Sequence, residues 1–397
     1  MTKIQLLLFV VAIFSFSCNS NGQNENKTSE TLKTTKIKAE KQNTKSEKEL
    51  SFVFFGDLMQ HDLQIQSAYR PKTDKYDFSS VFKYVKPIFD TTDVVIGNLE
   101  VTFGGKPYKG YPKFSSPKDL AYEIKKAGID YLVEANNHIY DKGKKGFEKT
   151  LKHLEKVGFK HTGAFLNEED KKKRHPMIIE KNGFKVAVYN YTYGLNDGIK
   201  EAKPNIVNFI DKELIKKDLQ NSKSKNYDAV IVFFHWGIEY KHQPNNDQTT
   251  LAKLCFENGA NIVIGSHPHV INRVEKYEYE SKNVKKKDVF IAYSLGNFVS
   301  NYGTWRYCDG GLMVNFKIKK SKSGEIKITN QQYIPVWVYR PIRKGKLRDY
   351  YVLPVAKFEN NKKFMSKADR KQMKTFINDT RTLLNKENKN VPEWKAN

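Results

Sequence analysis

Between residues 50 and 300 the chain alternates short, continuous apolar runs with segments in which apolar residues recur at helical spacing. Continuous runs bounded by polar residues predict buried strands, and they occur at 51–55, 94–96, 131–133, 185–189, 229–234, 261–264 and 289–293. Helical spacing predicts helices near 81–89, 120–127, 144–157, 211–221 and 247–258. This alternation indicates a layered α/β fold.

The pattern changes near residue 310. Two runs, 311–318 and 325–334, predict a terminal hairpin, and a helix is expected around 366–385. We assign residues 50–345 to one folded domain and residues 346–397 to a lysine-rich C-terminal extension. Whether that extension forms a separate unit or part of the same fold is left open by the sequence.

Residues 1–18 have the pattern of an export signal. Lys3 supplies a positive charge, the apolar stretch that follows is too short to span a membrane, and small residues precede Cys18. This end resembles a bacterial lipoprotein box, which implies that Cys18 is lipidated; a plain signal peptide with an incidental cysteine is the alternative. Residues 19–49 are almost entirely polar and predict a disordered tether. We therefore expect an exported lipoprotein anchored to a membrane of the bacterial cell envelope.

The composition adds a large positive charge, because 69 Lys and Arg against 44 Asp and Glu give a formal net charge of +25. Such a charge favours a polyanionic partner, such as nucleic acid, anionic lipid or an acidic polymer. A generally lysine-rich proteome is the simpler explanation. The sequence has no arginine-rich patch and no nucleic-acid-binding motif. Together with export, this argues against a nucleic-acid partner.

Five of the predicted strands end in polar residues of the kinds that bind metals. The clusters are Asp57 with His61, Asn98 with Glu100, Glu134 to Asp141 with Asn137 and His138, His235 with Glu239, and His267 with His269. Each has an ordinary alternative: Asp57 as a helix N-cap, Glu100 as a surface charge, His235 as a core histidine. Because the carboxyl ends of parallel strands lie at one edge of a sheet, we expect the clusters to converge on divalent metal. A binuclear centre would lower the pKa of a bound water and hold both attacking and leaving oxygens.

The same clusters fall within six motifs. They are Gly56-Asp57-x-Met59, Gly97-Asn-Leu-Glu100, Ala135-Asn-Asn-His138 with Asp141-x-Gly143, His235-Trp-Gly-x-Glu-Tyr240, Gly265-Ser-His-Pro-His-Val270 and Tyr293-Ser-Leu-Gly-Asn-Phe298. In order and spacing, over about residues 50 to 300, they resemble the CapA family of poly-γ-glutamate capsule synthesis proteins. That family is similar in fold to calcineurin-like metallophosphoesterases. The resemblance therefore implies an α/β fold built as a four-layer α/β/β/α sandwich around a dimetal site.

The resemblance also implies roles for individual residues. Asp57 matches the first aspartate ligand and takes part in catalysis, and His138 matches the general acid that protonates the leaving group. The other implied ligands are Glu100 in the bridging position, Asn137, His235, His267 and His269. Met59 stands where the histidine of the family's Asp-x-His pair would be, and His61 is the candidate replacement. The implied cofactors are one or two divalent ions, Mn, Fe or Zn.

Three residues further along the chain are candidates for contact with substrate. Asn297 would hydrogen-bond substrate or a ligand histidine, unless the Gly-Asn pair is only a turn. Trp305 and Arg306 would line a cleft over the site, or else pack their own loop.

Two functions are compatible with these residues. The first is a metal-dependent hydrolase of poly-γ-glutamate synthesis or processing, in which activated water attacks a phosphoester or a γ-glutamyl amide. The second is a non-catalytic, membrane-anchored accessory factor for assembly or export of the anionic polymer, and Met59 favours it. Poly-γ-glutamate, the membrane and other capsule synthesis proteins are the implied partners.

Overall fold

The computed structural model describes residues 48–196, 200–303, 305–321, 324–343, 345 and 347–396. Within these ranges no helix is both long enough and apolar enough to cross a membrane. The predicted signal peptide with Cys18, and the predicted tether up to residue 47, lie outside the described residues. Their assignments stay predictions.

The strands and helices are as follows. The strands are β1 (Glu49–Leu58), β2 (Tyr69–Arg70), β3 (Lys75–Tyr76), β4 (Val94–Leu99), β5 (Tyr131–Val133), β6 (Lys160–Thr162), β7 (Ala164–Phe165), β8 (Met177–Lys181), β9 (Phe184–Thr192), β10 (Ile206–Val207), β11 (Ala229–His235), β12 (Ile262–Ser266), β13 (Val274–Ser281), β14 (Val284–Ala292), β15 (Asn297–Val299), β16 (Gly310–Lys320), β17 (Ile326–Tyr339) and β18 (Tyr351–Pro354). The helices are α1 (Asp62–Ala68), α2 (Ser79–Phe82), α3 (Lys86–Phe89), α4 (Asp119–Lys126), α5 (Gly143–Val157), α6 (Glu168–Arg174), α7 (Lys212–Lys223), α8 (Asn246–Glu257), α9 (Val355–Phe358) and α10 (Lys367–Glu387).

The first sheet has the order β18-β17-β16-β1-β4-β5-β6, and β15 pairs with the end of β1. β1, β4, β5 and β6 are parallel, whereas β16, β17 and β18 are antiparallel additions. Phe52 and Phe54 of β1 belong to the core shared with the second sheet. Val53 and Phe55, which point to the other face, pack with the outer helices. Because both faces of β1 are covered, its sequence is one continuous apolar run.

The second sheet has the order β13-β14-β12-β11-β9-β8. Its four central strands are parallel, and β8 and β13 pair antiparallel at the two edges. Ile231 and Phe233 of β11 face the first sheet, and Val232 and Phe234 pack against the side of α7 and α8. The same alternation of faces therefore builds both sheets.

The layers stack as helices, first sheet, second sheet and helices. One buried cluster combines residues of the two sheets, a second joins the first sheet to α2 and α4, and a third joins the second sheet to α7 and α8. This arrangement confirms the prediction of a four-layer α/β/β/α sandwich.

The residues of the predicted C-terminal extension contribute to the first sheet and its core. β18 pairs with β17 over four residues, and Met373, Phe376 and Ile377 of α10 are buried in the cluster between the sheets. The described residues from 48 to 396 belong to one compact unit.

The predicted helix near 81–89 is two short helices, α2 and α3, and this is a correction. Pro87 lies in the first turn of α3. Proline has no N–H to donate to the preceding turn and its ring collides with that turn, so one helix cannot run through this position. The chain therefore ends α2 at Phe82 and starts again at Lys86.

Candidate metal centre

Side chains of the kinds that bind metals come together from both sheets at one end of the sandwich. They come from the carboxyl ends of β1, β4 and β5 in the first sheet and of β11 and β12 in the second, and they are Asp57, Glu100, Asn137, His235, His267 and His269. The apolar runs by themselves predicted convergence at one edge of a parallel sheet, and only the family resemblance implied two sheets. The structure instead divides the clusters between two sheets, because apolar runs do not reveal which strands pair.

Asp57 lies where β1 leaves the regular sheet through a bulge and pairs with β15. Its Oδ2 lies 3.0 Å from Nδ1 of His269, and its Oδ1 accepts a hydrogen bond of 2.9 Å from Asn98. Burial alone would raise the pKa of this carboxyl. The hydrogen bond to His269 and the charge of that imidazole nevertheless hold the pKa well below its usual value. Asp57 is therefore a carboxylate, the form that binds cations.

Glu100 follows β4 and is fully buried. Its Oε1 lies 3.6 Å from Nε2 of His235 and 3.9 Å from Nε2 of His269, and it has no hydrogen-bond partner. Burial, followed by the charge of Asp57, raises the pKa of Glu100 well above its ordinary value. Oε1 of Glu100 is thus a buried acceptor without a hydrogen bond, close to the carboxylate of Asp57. A cation bound between the two side chains would supply the missing interaction.

The three histidines form a cluster of closely spaced imidazole rings. The ring centroids of His235 and His267 are 4.7 Å apart, and those of His267 and His269 are 5.9 Å apart. Burial and then the charge of His269 lower the pKa of His267 to about 3, and burial with His267 places the pKa of His235 well below its ordinary value. Nδ1 of His267 has no hydrogen-bond partner. Neutral imidazoles with an open nitrogen are suited to metal ligation.

The loop that carries His267 and His269 has an unusual backbone. Their φ angles are 99° and 57°, in the region that residues with a Cβ rarely adopt. Such strain is concentrated at functional sites, where the surrounding structure holds it in place. Here it turns two side chains that are two residues apart towards the same centre.

The donor atoms fit divalent metal. Glu100, His267 and His269 offer ligand atoms within 4.8 Å of one another, and so do Asp57, Glu100 and His235. Glu100 belongs to both groups, and a carboxylate has two oxygens with which to bridge two ions. Mixed imidazole and carboxylate donors suit transition-metal ions, and the unpartnered atoms of Glu100 and His267 face this cluster. The residues are therefore compatible with divalent metal binding.

Asn137 and His138 lie beside these ligands. Oδ1 of Asn137 is 2.8 Å from Nε2 of His235. Nδ1 of His138 is 2.8 Å from Oδ2 of Asp141, and Asn196 reaches both ring nitrogens of His138 and the Asn137 amide. A carboxyl group hydrogen-bonded to one ring nitrogen fixes the orientation of an imidazole and leaves the other ring nitrogen to face the centre.

His61 and Met59 differ from the ligands in their surroundings. Nδ1 of His61 accepts a hydrogen bond of 3.1 Å from the backbone of Asn301 and lies 3.2 Å from Oε1 of Gln64. His61 is near the centre but outside both three-residue groups. The Met59 side chain is buried in the outer core of the first sheet, so the position of the expected histidine supplies no ligand.

The three substrate candidates have three different environments. Oδ1 of Asn297 lies 3.1 Å from Nδ1 of His269, and its amide donates to the carbonyl of Cys308, so Asn297 supports a ligand histidine. Trp305 is 56% exposed and packs against Tyr240 and Tyr302 near the centre. Arg306 forms a two-pronged ion pair with Asp379 of α10, with distances of 2.8 and 2.9 Å.

The sequence placed Asn98 in one of the polar clusters but gave it no individual role, and it did not single out Tyr193. Asn98 donates to Asp57 and to Glu100 and lies 3.3 Å from Nδ1 of His235. The ring of Tyr193 lies 4.5 Å from that of His267. Asn98 stands inside the Gly97-Asn-Leu-Glu100 motif, which was a usable signal, whereas nothing local distinguishes Tyr193 from the other 21 tyrosines of the chain.

Comparison with known proteins places this arrangement in a family. The family profile of the bacterial capsule synthesis protein PGA_cap matches residues 51–302. The chain belongs to this family. The PGA_cap match covers all the residues of the candidate metal centre and confirms the resemblance that the six motifs indicated.

Individual relatives agree with the PGA_cap assignment. The chain is 32% identical to the PGA biosynthesis protein CapA of Bacillus subtilis (strain 168) over 331 residues, which are 80% of each protein. It is 31% identical to the capsule biosynthesis protein CapA of Bacillus anthracis over 276 residues, 66% of this chain and 63% of that one. Among solved structures, the calcineurin-like phosphoesterase YfkN of Bacillus subtilis is similar over 86% of this chain and 100% of its own, with 13% identity and a TM-score of 0.42.

Proposed function

We propose that this member of the PGA_cap family is a metal-dependent hydrolase of poly-γ-glutamate synthesis or processing, which cleaves a phosphoester or a γ-glutamyl amide. The observation that carries the proposal is the pair of buried three-residue groups that share Glu100. The names of the two CapA relatives supply the biological context.

The metal would be held by Asp57, Glu100, His235, His267 and His269. Mn, Fe or Zn fits a set of imidazoles and carboxylates, and two ions fit two groups with one shared carboxylate. When bound, such ions polarise the substrate oxygen and make water a better nucleophile at neutral pH.

His138 is the proton donor in this proposal. Oδ2 of Asp141 lies 2.8 Å from its Nδ1, so the carboxyl fixes the orientation of the ring. Proton donation to the leaving oxygen or nitrogen avoids the release of a strongly basic anion. Such general acid catalysis typically accelerates hydrolysis by about a hundredfold or more. Asn137, within 2.8 Å of His235, fixes the neighbouring ligand.

The test compares the wild type with a His267→Ala/His269→Ala variant. Metal content is measured by elemental analysis, and hydrolysis is assayed on phosphoesters and on poly-γ-glutamate. We expect bound metal and turnover in the wild type and the loss of both in the variant. His153→Ala, a change in a histidine of α5 that packs on Tyr122, is the control and should keep both. Polymer binding by the wild type without metal or turnover would contradict the hydrolase.

The second candidate is the non-catalytic accessory factor. It is favoured by Met59, whose side chain packs in the outer core where the family pattern has a histidine. In that case the wild type and the His267→Ala/His269→Ala variant would bind poly-γ-glutamate equally, and neither would hydrolyse it.

We also propose that the protein is exported and held at the cell envelope through a lipid on Cys18. The support is the sequence alone: a basic start, a short apolar stretch and small residues before the cysteine. Cys18→Ala should release the protein from the membrane fraction of cells, and retention of the variant in that fraction would contradict the anchor.

A further inference from the structure

Exposed apolar side chains are concentrated around the candidate metal centre. In the described part of the chain, nine large hydrophobic residues are more than a third exposed. Five of them belong to the loops that carry or adjoin the ligands: Tyr193, Ile238, Tyr240, Trp305 and Tyr307. Single exposed apolar residues are ordinary, but a group of them at one place marks a surface that binds something.

Tyr193 forms one side of this group. It follows β9, and its backbone N–H donates to the carbonyl of His235, which ties it to a ligand strand. Its ring centroid lies 4.5 Å from that of His267 and 6.2 Å from that of His235. Tyr193 is nevertheless 47% exposed, so it is accessible to solvent beside these histidines.

Tyr240, Tyr302 and Trp305 form the other side. The rings of Tyr240 and Tyr302 lie 6.3 and 5.3 Å from that of His269, and Trp305 packs on both tyrosines at 5.3 and 5.9 Å. The N–H of Tyr240 donates to the carbonyl of Pro268, between the two ligand histidines. We call these four residues, Tyr193, Tyr240, Tyr302 and Trp305, the aromatic rim.

The aromatic rim lies over groups that solvent barely reaches. His267 is 3% exposed and His269 is 1% exposed, while Tyr193 and Trp305 are 47% and 56% exposed. A substrate whose reacting group reaches the histidines therefore carries its remaining atoms past these rings.

The chemistry of the aromatic rim selects among possible substrates. Aromatic faces bind the faces of other rings, both sugars and bases, and gain little from carboxylate side chains. Glu239, the exposed neighbour of Tyr240 in the chain, adds an acidic side chain here. Arg306, the cation beside Trp305, is paired with Asp379. A run of glutamyl side chains would thus meet rings and a like charge at this place.

We propose that the aromatic rim is a recognition subsite for the ring of a phosphoester, so that the substrate class of this centre is a sugar phosphate or a nucleoside phosphate. The inference deepens the hydrolase proposal and rests on it. It chooses the phosphoester over the γ-glutamyl amide as the bond that is cleaved.

The test is steady-state kinetics of the full chain, loaded with Mn²⁺, on matched phosphomonoesters. A nucleoside 5′-monophosphate and a hexose phosphate carry rings, and glycerol phosphate does not. We expect kcat/KM to be at least about tenfold higher for one of the ring-bearing esters. A preference for the nucleoside monophosphate would show that the aromatic rim binds a nucleobase, and a preference for the hexose phosphate would show that it binds a sugar ring.

Variants then assign the preference to the aromatic rim. Trp305→Ala and Tyr240→Ala should lower kcat/KM for the preferred ring-bearing ester about tenfold, mainly through KM, and leave glycerol phosphate within twofold. Tyr122→Ala removes a tyrosine of α4 that is 41% exposed and packs on His153. As the matched control, this variant should leave kcat/KM unchanged for both the ring-bearing ester and glycerol phosphate.

Several outcomes would overturn the inference. One is equal kcat/KM for all three esters, and another is a variant that slows glycerol phosphate as much as the ring-bearing ester. A third is cleavage of poly-γ-glutamate but of no phosphoester, which would leave the hydrolase proposal intact and remove the ring subsite.

Ligand binding to the aromatic rim can be measured separately, even if the protein hydrolyses none of the esters. Trp305 is one of four tryptophans, and Trp236 and Trp337 are buried. A nucleoside monophosphate or hexose phosphate seated on the aromatic rim should quench tryptophan fluorescence in the wild type and much less in Trp305→Phe. Quenching without hydrolysis would support the subsite while the hydrolase proposal fails, and the absence of any difference between the two proteins would overturn the subsite.

Discussion

Asn98 connects the acidic and the imidazole parts of the centre. Its amide nitrogen lies 2.9 Å from Asp57, 3.2 Å from Glu100 and 3.3 Å from His235, and its oxygen accepts a hydrogen bond from Asn136. All of these groups are buried. Asn98 thus orients ligands from both sheets, and residues in such supporting positions affect metal affinity almost as strongly as the ligands do.

Asn98→Ala is therefore expected to weaken metal binding by about 10- to 100-fold. The alanine leaves two carboxylates without a shared donor, so their positions are no longer fixed. Titration of the metal-free protein with Mn²⁺, followed by calorimetry, measures the change. Asn315→Ala, in β16 and away from the ligands, is the control. An unchanged Mn²⁺ affinity in Asn98→Ala would show that the amide is dispensable.

Lys287 of β14 gives a prediction about pH and stability. Its ammonium donates to the carbonyl of Ala260 at 2.8 Å, and burial, followed by the charge of Lys223, lowers its pKa from 10.5 to about 8. Between these pH values the unfolded chain binds more protons than the folded chain. Below pH 8 the buried ammonium of Lys287 is charged and destabilises the folded protein by its full amount. As the pH rises from about 8 to 10.5, this destabilisation is lost and the free energy of unfolding increases.

Lys287→Met should consequently raise the free energy of unfolding at pH 7 by about 1 kcal/mol relative to the wild type, and this advantage should disappear near pH 10. Urea denaturation at several pH values measures it. The exposed Lys285 of the same strand provides the control, since Lys285→Met should give a difference that does not vary with pH. A constant difference for Lys287→Met would show that the ammonium is adequately solvated.

Among the secondary-structure elements, the sequence predicted those that carry the ligands. β1, β4, β5, β11 and β12 are covered on both faces, so each is an uninterrupted apolar run that ends where the polar cluster begins. The edge strands β8 and β13 were not predicted, because exposed positions mix Lys, Glu and Ser into them. The division into two sheets was not available from the residues alone, since it depends on which strands pair; it came with the family resemblance.

Local spacing does not determine the surroundings of the His61 side chain. Four residues after Asp57 is a plausible distance for a second ligand, but β1 ends at Leu58 and His61 is already the N-cap of α1. Its backbone N–H bonds to Gln64, and its ring nitrogen accepts from Asn301, a residue 240 positions away. A contact of that kind cannot be read from the neighbouring sequence.

Gly56 lets β1 approach β15 closely enough to place Asp57. A Cβ at this position would lie 2.1 Å from the carbonyl oxygen of Gly296. Gly56→Ala should therefore lower the free energy of unfolding by about 1–3 kcal/mol, because the backbone of two paired strands has to move. Urea denaturation measures the loss. At Gly194 a Cβ would meet nothing within 4 Å, so Gly194→Ala should lie within about 0.5 kcal/mol of the wild type. Equal stabilities for the two variants would contradict this account of β1.

For the whole molecule, the centre is a junction between the two halves of the sandwich. Asp57 and Glu100 belong to the first sheet, and His235, His267 and His269 to the second. Elsewhere the sheets are held together by the apolar core between them. An ion bound at the centre would add a polar connection between the sheets, so metal binding should stabilise the fold as a unit.

The expected result is a melting temperature that depends on metal. A ligand that binds only the folded state, present at about a hundred times its dissociation constant, adds roughly 2.7 kcal/mol, which for a domain of this size corresponds to a rise of several degrees. Differential scanning calorimetry of the wild type in EDTA and in excess Mn²⁺ measures it. The His267→Ala/His269→Ala variant lacks two of the five ligands and should melt at nearly the same temperature in both solutions. A rise of equal size in wild type and variant would locate the stabilising ion elsewhere. No rise in either protein, together with low metal content, would mean that hydrogen bonds through Asn98 and Asp57 hold the two sheets at this end without an ion.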